Sequence, residues 1–199
     1  QLAPEVQLMG EEKDNSGLDF EKPMWILDPV DGTMNLVHGF RHSAVSLALA
    51  DRGQVELGLV YDPYAGELFS ARRGCGAFVN GEPIQVSEAK CLADCLVDVG
   101  TNPSQREAAD RTFRCLRAVY DRCSVDLCYV AAGRLDAYVE NSLKPWDYAA
   151  GLLIVQEAGG AVVTVDGGAP SLKTGSGILG TNGAVTQELL TVLCQTANG

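Results

Sequence analysis

The chain has 199 residues, with 26 acidic side chains against 15 basic ones and a formal charge of −11. A field of that sign repels nucleic-acid backbones and anionic lipid heads unless a local basic cluster overrides it, and between Arg106 and Arg122 the basic residues alternate with acids instead. An apolar fraction of 46% with 21% charged residues fits a packed globular chain, excludes disorder and collagen-like structure, and comes with no apolar run long enough for a membrane span.

In chain order, residues 23–27 read as a short buried strand that Asp28-Pro29 should stop, because proline donates nothing to a ladder. Residues 44–51 and 55–61 alternate around Arg52-Gly53, which predicts a hairpin. Residues 67–71, 76–80 and 83–86 predict further short strands between glycine-containing turns, so the first half reads as an antiparallel-rich sheet. A strand over 95–99 leads into the second half. From Pro103 the spacing of Ala109, Thr112, Phe113, Leu116, Val119 and Tyr120 predicts an amphipathic helix capped by Asn102. Helices are also expected over 125–135, from near Trp146 to Gly159-Gly160, and over 188–194, with strands at 161–165 and 177–179. Strands and helices mix without a linker or repeat, which predicts layered α/β or α+β architecture. Seven cysteines, none in a CxxC pair, read as reduced thiols of a cytoplasmic protein. The start at Gln1, without Met or a leader, reads as a processed chain or a fragment.

Three acidic stretches stand out: Gly10-Glu11-Glu12, the run Trp25-Ile26-Leu27-Asp28-Pro29-Val30-Asp31-Gly32-Thr33-Met34-Asn35, and Trp146-Asp147-Tyr148 at a helix start. A strand end and a tight turn can aim Asp28 and Asp31 into one cavity, where two carboxylates stay ionised only with a cation between them. Hard oxygen ligands at that spacing suit Mg²⁺, and Gly32 lets the backbone approach an anion. Taken alone, Asp-Pro-x-Asp-Gly is also a common turn.

The longer strings narrow the choice. The Asp28 to Asn35 run behind Trp25-Ile26-Leu27, with Gly10-Glu11-Glu12 upstream and the Trp146 to Gly160 segment downstream, resembles the inositol monophosphatase family of Mg²⁺-dependent, lithium-sensitive phosphatases. Residues 58–63, 71–78, 80–81 and 131–138 are similar to its framework. The resemblance implies an α/β (α+β) fold layered α-β-α-β-α with mixed, antiparallel-rich sheets. It implies one domain over 1–199, with a metal-site sheet half at 1–100 and an α/β half at 101–199. Glu11, Asp28 and the Val30 carbonyl would hold one Mg²⁺, and Asp28, Asp31 and Asp147 a second, with two or three ions per site. Glu11, Asp31 and Thr33 would be catalytic, Thr33 by orienting the attacking water. Gly32 and Thr33 would bind phosphate through their N–H groups, and Asp31, Glu140 and Asp147 would meet the substrate. The implied activity is hydrolysis of a small sugar or polyol phosphate, inositol 1-phosphate first, by a homodimer that binds neither nucleic acid nor membrane. Fructose 1,6-bisphosphate, histidinol phosphate, 3′-phosphoadenosine 5′-phosphate and a non-catalytic regulatory role are the alternatives.

The resemblance also implies about one-third more chain ahead of Glu11. That chain would include helices covering the sheet and an Asp that pairs with the threonine. A Gly-Ser/Thr-Ala stretch is expected before Asp126 and is absent. His38 and His42 are spaced like a helical zinc pair but read as a turn or surface pair, and Cys91/Cys95 and Cys123/Cys128 lack zinc spacing. Gly74-Cys75-Gly76 reads as a hairpin turn, Trp25 and Trp146 as core, and Glu140 on its own as a solvated surface acid.

Overall fold

The alternating first half folds as expected in a computed structural model, which describes residues 6–100 and 125–197. The helix expected from Pro103 lies outside those residues, as do Cys115 and Cys123. Seven strands form one sheet in chain order: β1 (Gln7–Gly10), β2 (Met24–Asp31), β3 (Ala44–Asp51), β4 (Gln54–Asp62), β5 (Glu67–Arg72), β6 (Ala77–Val79) and β7 (Glu82–Ile84). β1 runs parallel to β2 and every other neighbour is antiparallel. A short helix α1 (Thr33–Val37) follows β2.

The second sheet has the order β10-β11-β9-β8, from β8 (Val97–Gly100), β9 (Ala137–Leu143), β10 (Ala161–Thr164) and β11 (Ser176–Thr181). Helices α2 (Val125–Ala131) and α3 (Pro145–Glu157) pack on each other, and α4 (Thr186–Ala197) packs against β11. α3 contacts β2 to β5 on one side and β10 and β11 on the other. Buried residues therefore run almost unbroken along it, from Tyr148 to Val155, with no polar stripe. Small residues set how closely it approaches. A Cβ on Gly58 of β4 would lie 2.6 Å from the Ala150 carbonyl oxygen, and one on Gly151 would lie 2.8 Å from Leu127 of α2.

Several elements differ from the sequence-based expectation. β2 continues through Asp28-Pro29 to Asp31. β1 and β9 carry no alternation that would announce them, and β9 is buried at four successive positions from Ala137 to Glu140. α2 ends at Ala131 rather than 135. Gly133, at φ 67, closes it by donating to the Val130 carbonyl while Arg134 donates to that of Tyr129, a Schellman end.

The two faces of the large sheet have different fates. Ile26, Ala48, Gly58 and Ala71 point toward α3 and are buried. Trp25, Leu49 and Leu57 form one registered row on the opposite face, and Leu27, Leu47 and Leu59 form the next; all six are half-buried. A third row of Val45, Tyr61 and Leu68 is exposed.

Candidate metal and phosphate site

The site begins with an irregularity in β2. Asp28 pairs with Ser46 and Asp31 with Ala44, so three steps along β2 match two along β3. That extra residue is a β-bulge, and Pro29, which has no N–H to contribute, lies within it. In a regular strand, residues three apart face opposite ways; the bulge turns Asp31 onto the same face as Asp28. Asp28 is buried, and its Oδ1 accepts the Val30 N–H at 3.0 Å. Gly32 then takes the left-handed conformation, φ 80, and Thr33 Oγ1 donates to the Val30 carbonyl at 2.9 Å.

The third carboxylate arrives from the far side of α3. Asp147, in the helix's first turn, accepts the Lys144 N–H at 2.6 Å and so closes one of the helix's own unpaired ends. Ser46 Oγ donates to the Trp146 carbonyl at 3.2 Å and ties β3 to the same turn. One oxygen each from Asp28, Asp31 and Asp147 lies within 4.8 Å of the others. Trans oxygens around a Mg²⁺ at about 2.1 Å are about 4.2 Å apart, so side-chain shifts of about half an ångström would gather the three around one hard cation. Glu11 sits on the exposed turn after β1, where the pairing of Gly10 with Leu27 brings it level with Asp28. Asn15 builds that turn by bonding both the N–H and the carbonyl of Gly10.

Burial pushes Asp28 up to about 7, with Asp31, Glu11 and Glu12 adding to the push and the Val30 N–H opposing it. Burial pushes Asp147 up to about 8, with added repulsion from Asp31, Asp28 and Glu140. Burial and the repulsion of neighbouring carboxylates thus act in the same direction on both. Glu140 is 8% exposed rather than a surface acid. Its Oε2 accepts the Tyr138 hydroxyl at 2.6 Å, and burial pushes it to about 7 despite that bond.

Three buried groups beside the cluster escaped the sequence reading. Asp126 of α2 has its Oδ1 3.4 Å from His42 Nε2, and its carboxyl is raised well above the usual range, by burial first and by Asp98 and Asp31 after it. Asp98 of β8 is buried, and Tyr138 wholly so. The available signal was a lone acid inside an apolar string, at Val125-Asp126-Leu127 and Val97-Asp98-Val99. His38 is exposed and His42 half-buried against Asp126. Cys75, Cys91, Cys95 and Cys128 are free thiols. Gly74 and Gly76 both donate to the Glu157 carboxylate, which fixes the turn between β5 and β6. Among the described residues, no helix is long and apolar enough to cross a membrane.

Comparison with known proteins bears on this geometry. The model of the inositol monophosphatase family matches residues 1–198. The Nus factor SuhB of Vibrio cholerae is 42% identical over 161 residues, 76% of this chain and 60% of its own length. An inositol-1-monophosphatase of Rhizobium meliloti is 40% identical over 165 residues, 78% of this chain and 62% of its own. This chain thus spans about 60% of the curated relatives it matches. The solved inositol monophosphatase of Anabaena superposes with a TM-score of 0.88 at 33% identity, covering 96% of this chain and 79% of that one.

Proposed function

The chain belongs to the inositol monophosphatase family, and from that premise we propose that it is a Mg²⁺-dependent phosphatase of a small phosphorylated polyol or sugar, inositol 1-phosphate first. The observation that carries this is the convergence of Asp28, Asp31 and Asp147, whose oxygens lie within 4.8 Å of one another. Two of them are raised to about 7 and about 8, as expected of carboxylates built to face positive charge. Residues 1–199 are read as one domain.

Asp28, Asp31 and Asp147, with Glu11 and the Val30 carbonyl, would hold the two or three ions. When bound, Mg²⁺ neutralises the carboxylates and polarises a phosphoryl oxygen. The remaining work falls to the chain. Thr33, its hydroxyl donating to Val30, orients the attacking water, and Glu11 and Asp31 keep that water in line with the phosphorus. The N–H groups of Gly32 and Thr33 receive the phosphate oxygens, and the left-handed Gly32 permits their close approach. Glu140 accepts hydroxyls of the substrate, with Asp31 and Asp147 lining the same space. The lack of a nucleic-acid or membrane ligand is supported by the charge of −11, while the cytoplasmic location follows the reading of the cysteines as reduced thiols and the homodimer follows the family resemblance.

A phosphate-release screen over inositol 1-phosphate, fructose 1,6-bisphosphate, histidinol phosphate and 3′-phosphoadenosine 5′-phosphate tests this, run with Mg²⁺ and with and without Li⁺. Turnover should require Mg²⁺ and fall at least about 100-fold in Asp31→Asn, the scale expected when charge stabilisation at the reacting centre is removed. Full activity in that variant overturns the site. Relatives named as Nus factors favour a second reading, in which the fold acts through a partner surface. A calorimetric titration with no heat at millimolar Mg²⁺, together with an inactive screen, would favour it.

A further inference from the structure

We propose that Tyr138 is a positioning residue for substrate recognition: its phenol fixes the Glu140 carboxylate in the orientation that accepts the hydroxyls of a polyol phosphate. The proposal rests on the reading of Glu140 given above and adds a residue to which that reading assigns nothing.

Tyr138 and Glu140 are two apart on β9 and share one face of it. Strands on both sides lock their backbones. Tyr138 lies between Asp98 of β8 and Gly180 of β11, and Glu140 between Gly100 and Ile178. The hydroxyl donates to Glu140 Oε2 at 2.6 Å, the short length of a bond to a charged acceptor. A carboxylate has about four acceptor sites, so a bond at Oε2 leaves Oε1 able to take substrate hydroxyls.

The forces on Glu140 explain why it needs holding. Asp31 and Asp98 both repel it, and with nothing to pin it a flexible glutamate would swing away from them. The phenol opposes that swing from a ring that is wholly buried. A purely structural account reverses the roles and makes Glu140 a partner for a core hydroxyl. A phenylalanine would fill that core position without a hydroxyl to satisfy, and a buried carboxylate is a costly partner for one.

The test uses the full-length protein with Mg²⁺ and two substrates, inositol 1-phosphate and p-nitrophenyl phosphate, which has no hydroxyls for Glu140 to accept. Tyr138→Phe should raise the KM for inositol 1-phosphate about tenfold, or about 1.4 kcal/mol. Its kcat should stay within about twofold, the modest change left when only ground-state contacts are lost. Both constants for p-nitrophenyl phosphate should hold, which also reports a folded enzyme. Adding Tyr138→Phe to Glu140→Gln should cost nothing beyond Glu140→Gln alone, because the two act as one unit. Equal losses on both substrates, additive losses in the double variant, or an unchanged KM in Tyr138→Phe while Glu140→Gln raises it each overturn the proposal. Should Tyr138→Phe fail to fold, 3-fluorotyrosine at 138 keeps the ring and alters its acidity; a KM for inositol 1-phosphate that does not respond overturns the proposal equally. If Glu140→Gln leaves that KM unchanged, the role of Glu140 falls and this proposal with it. No Mg²⁺-dependent turnover of either substrate by the unaltered protein overturns the phosphatase reading itself.

Discussion

Gly32 is constrained twice over. Its φ of 80 is a conformation that side chains disfavour, and a Cβ would lie 2.9 Å from the backbone carbonyl oxygen of His42. Gly32→Ala should therefore cost about 1–3 kcal/mol in urea unfolding. It should also depress phosphate release more than the lost stability explains, because the turn that carries Asp31 and Thr33 must shift. Arg134 gives a second prediction at this scale. Its guanidinium forms a paired bond with Glu67, both contacts at 2.6 Å, and lies over the rings of Phe69 and Tyr129. A lysine keeps the charge but loses the fork and the stacking, so Arg134→Lys should destabilise by about 1 kcal/mol in the same assay. Residues such as Asp28, Asp31 and Gly32 were legible because their local string is unusual. Asp98, Asp126 and Tyr138 were not, because each sits in an ordinary strand or helix string and takes its meaning from residues that only the fold brings near.

Among elements, α3 decides most. It fills the space between the two sheets and presents Asp147 at its first turn, so its seating on β4 sets the third corner of the carboxylate cluster. Gly58→Ala would drive a methyl group against the Ala150 backbone, which cannot rotate away as a side chain could. The expected cost is about 1–3 kcal/mol of overpacking, read as a lowered urea midpoint. Weaker binding in a Mg²⁺ titration should accompany it as Asp147 is displaced. The start of α3, expected near Trp146, lies one residue earlier at Pro145, and the hairpins were readable from alternation. The bulge in β2 was not, since proline looks like a stop until its partner strand is known. β9 was hidden because burial on both faces erases the two-residue period, whereas α3 was expected from near Trp146 to Gly159-Gly160 even though burial all round blurs its helical period.

At the scale of the whole molecule, stability should depend on pH in a direction fixed by the site. Asp28, Glu140 and Asp147 rise from ordinary values of 3.8, 4.5 and 3.8 to about 7, about 7 and about 8. Between those limits the folded state holds protons that the unfolded chain has released, so stability falls as pH rises from about 4 to about 8. Glu67 and Glu157, lowered by Arg134 and by backbone N–H groups, act the other way, but only at more acidic pH. Calorimetry in chelator should therefore give a higher melting temperature at pH 5 than at pH 8. Millimolar Mg²⁺, which binds the deprotonated carboxylates, should raise it more at pH 8 than at pH 5. The cluster has one more consequence, which concerns the order of synthesis. Asp28 and Asp147 are 147 − 28 = 119 residues apart in the chain. A ribosome adding about 5–20 residues per second separates their emergence by about 6–24 s. During that interval the chain through β2 supplies Glu11, Asp28, Asp31 and the Val30 carbonyl but not Asp147. The nascent chain therefore holds the ligands proposed for one ion well before those proposed for the other, and the three-aspartate cluster is completed only when α3 has been made and docked.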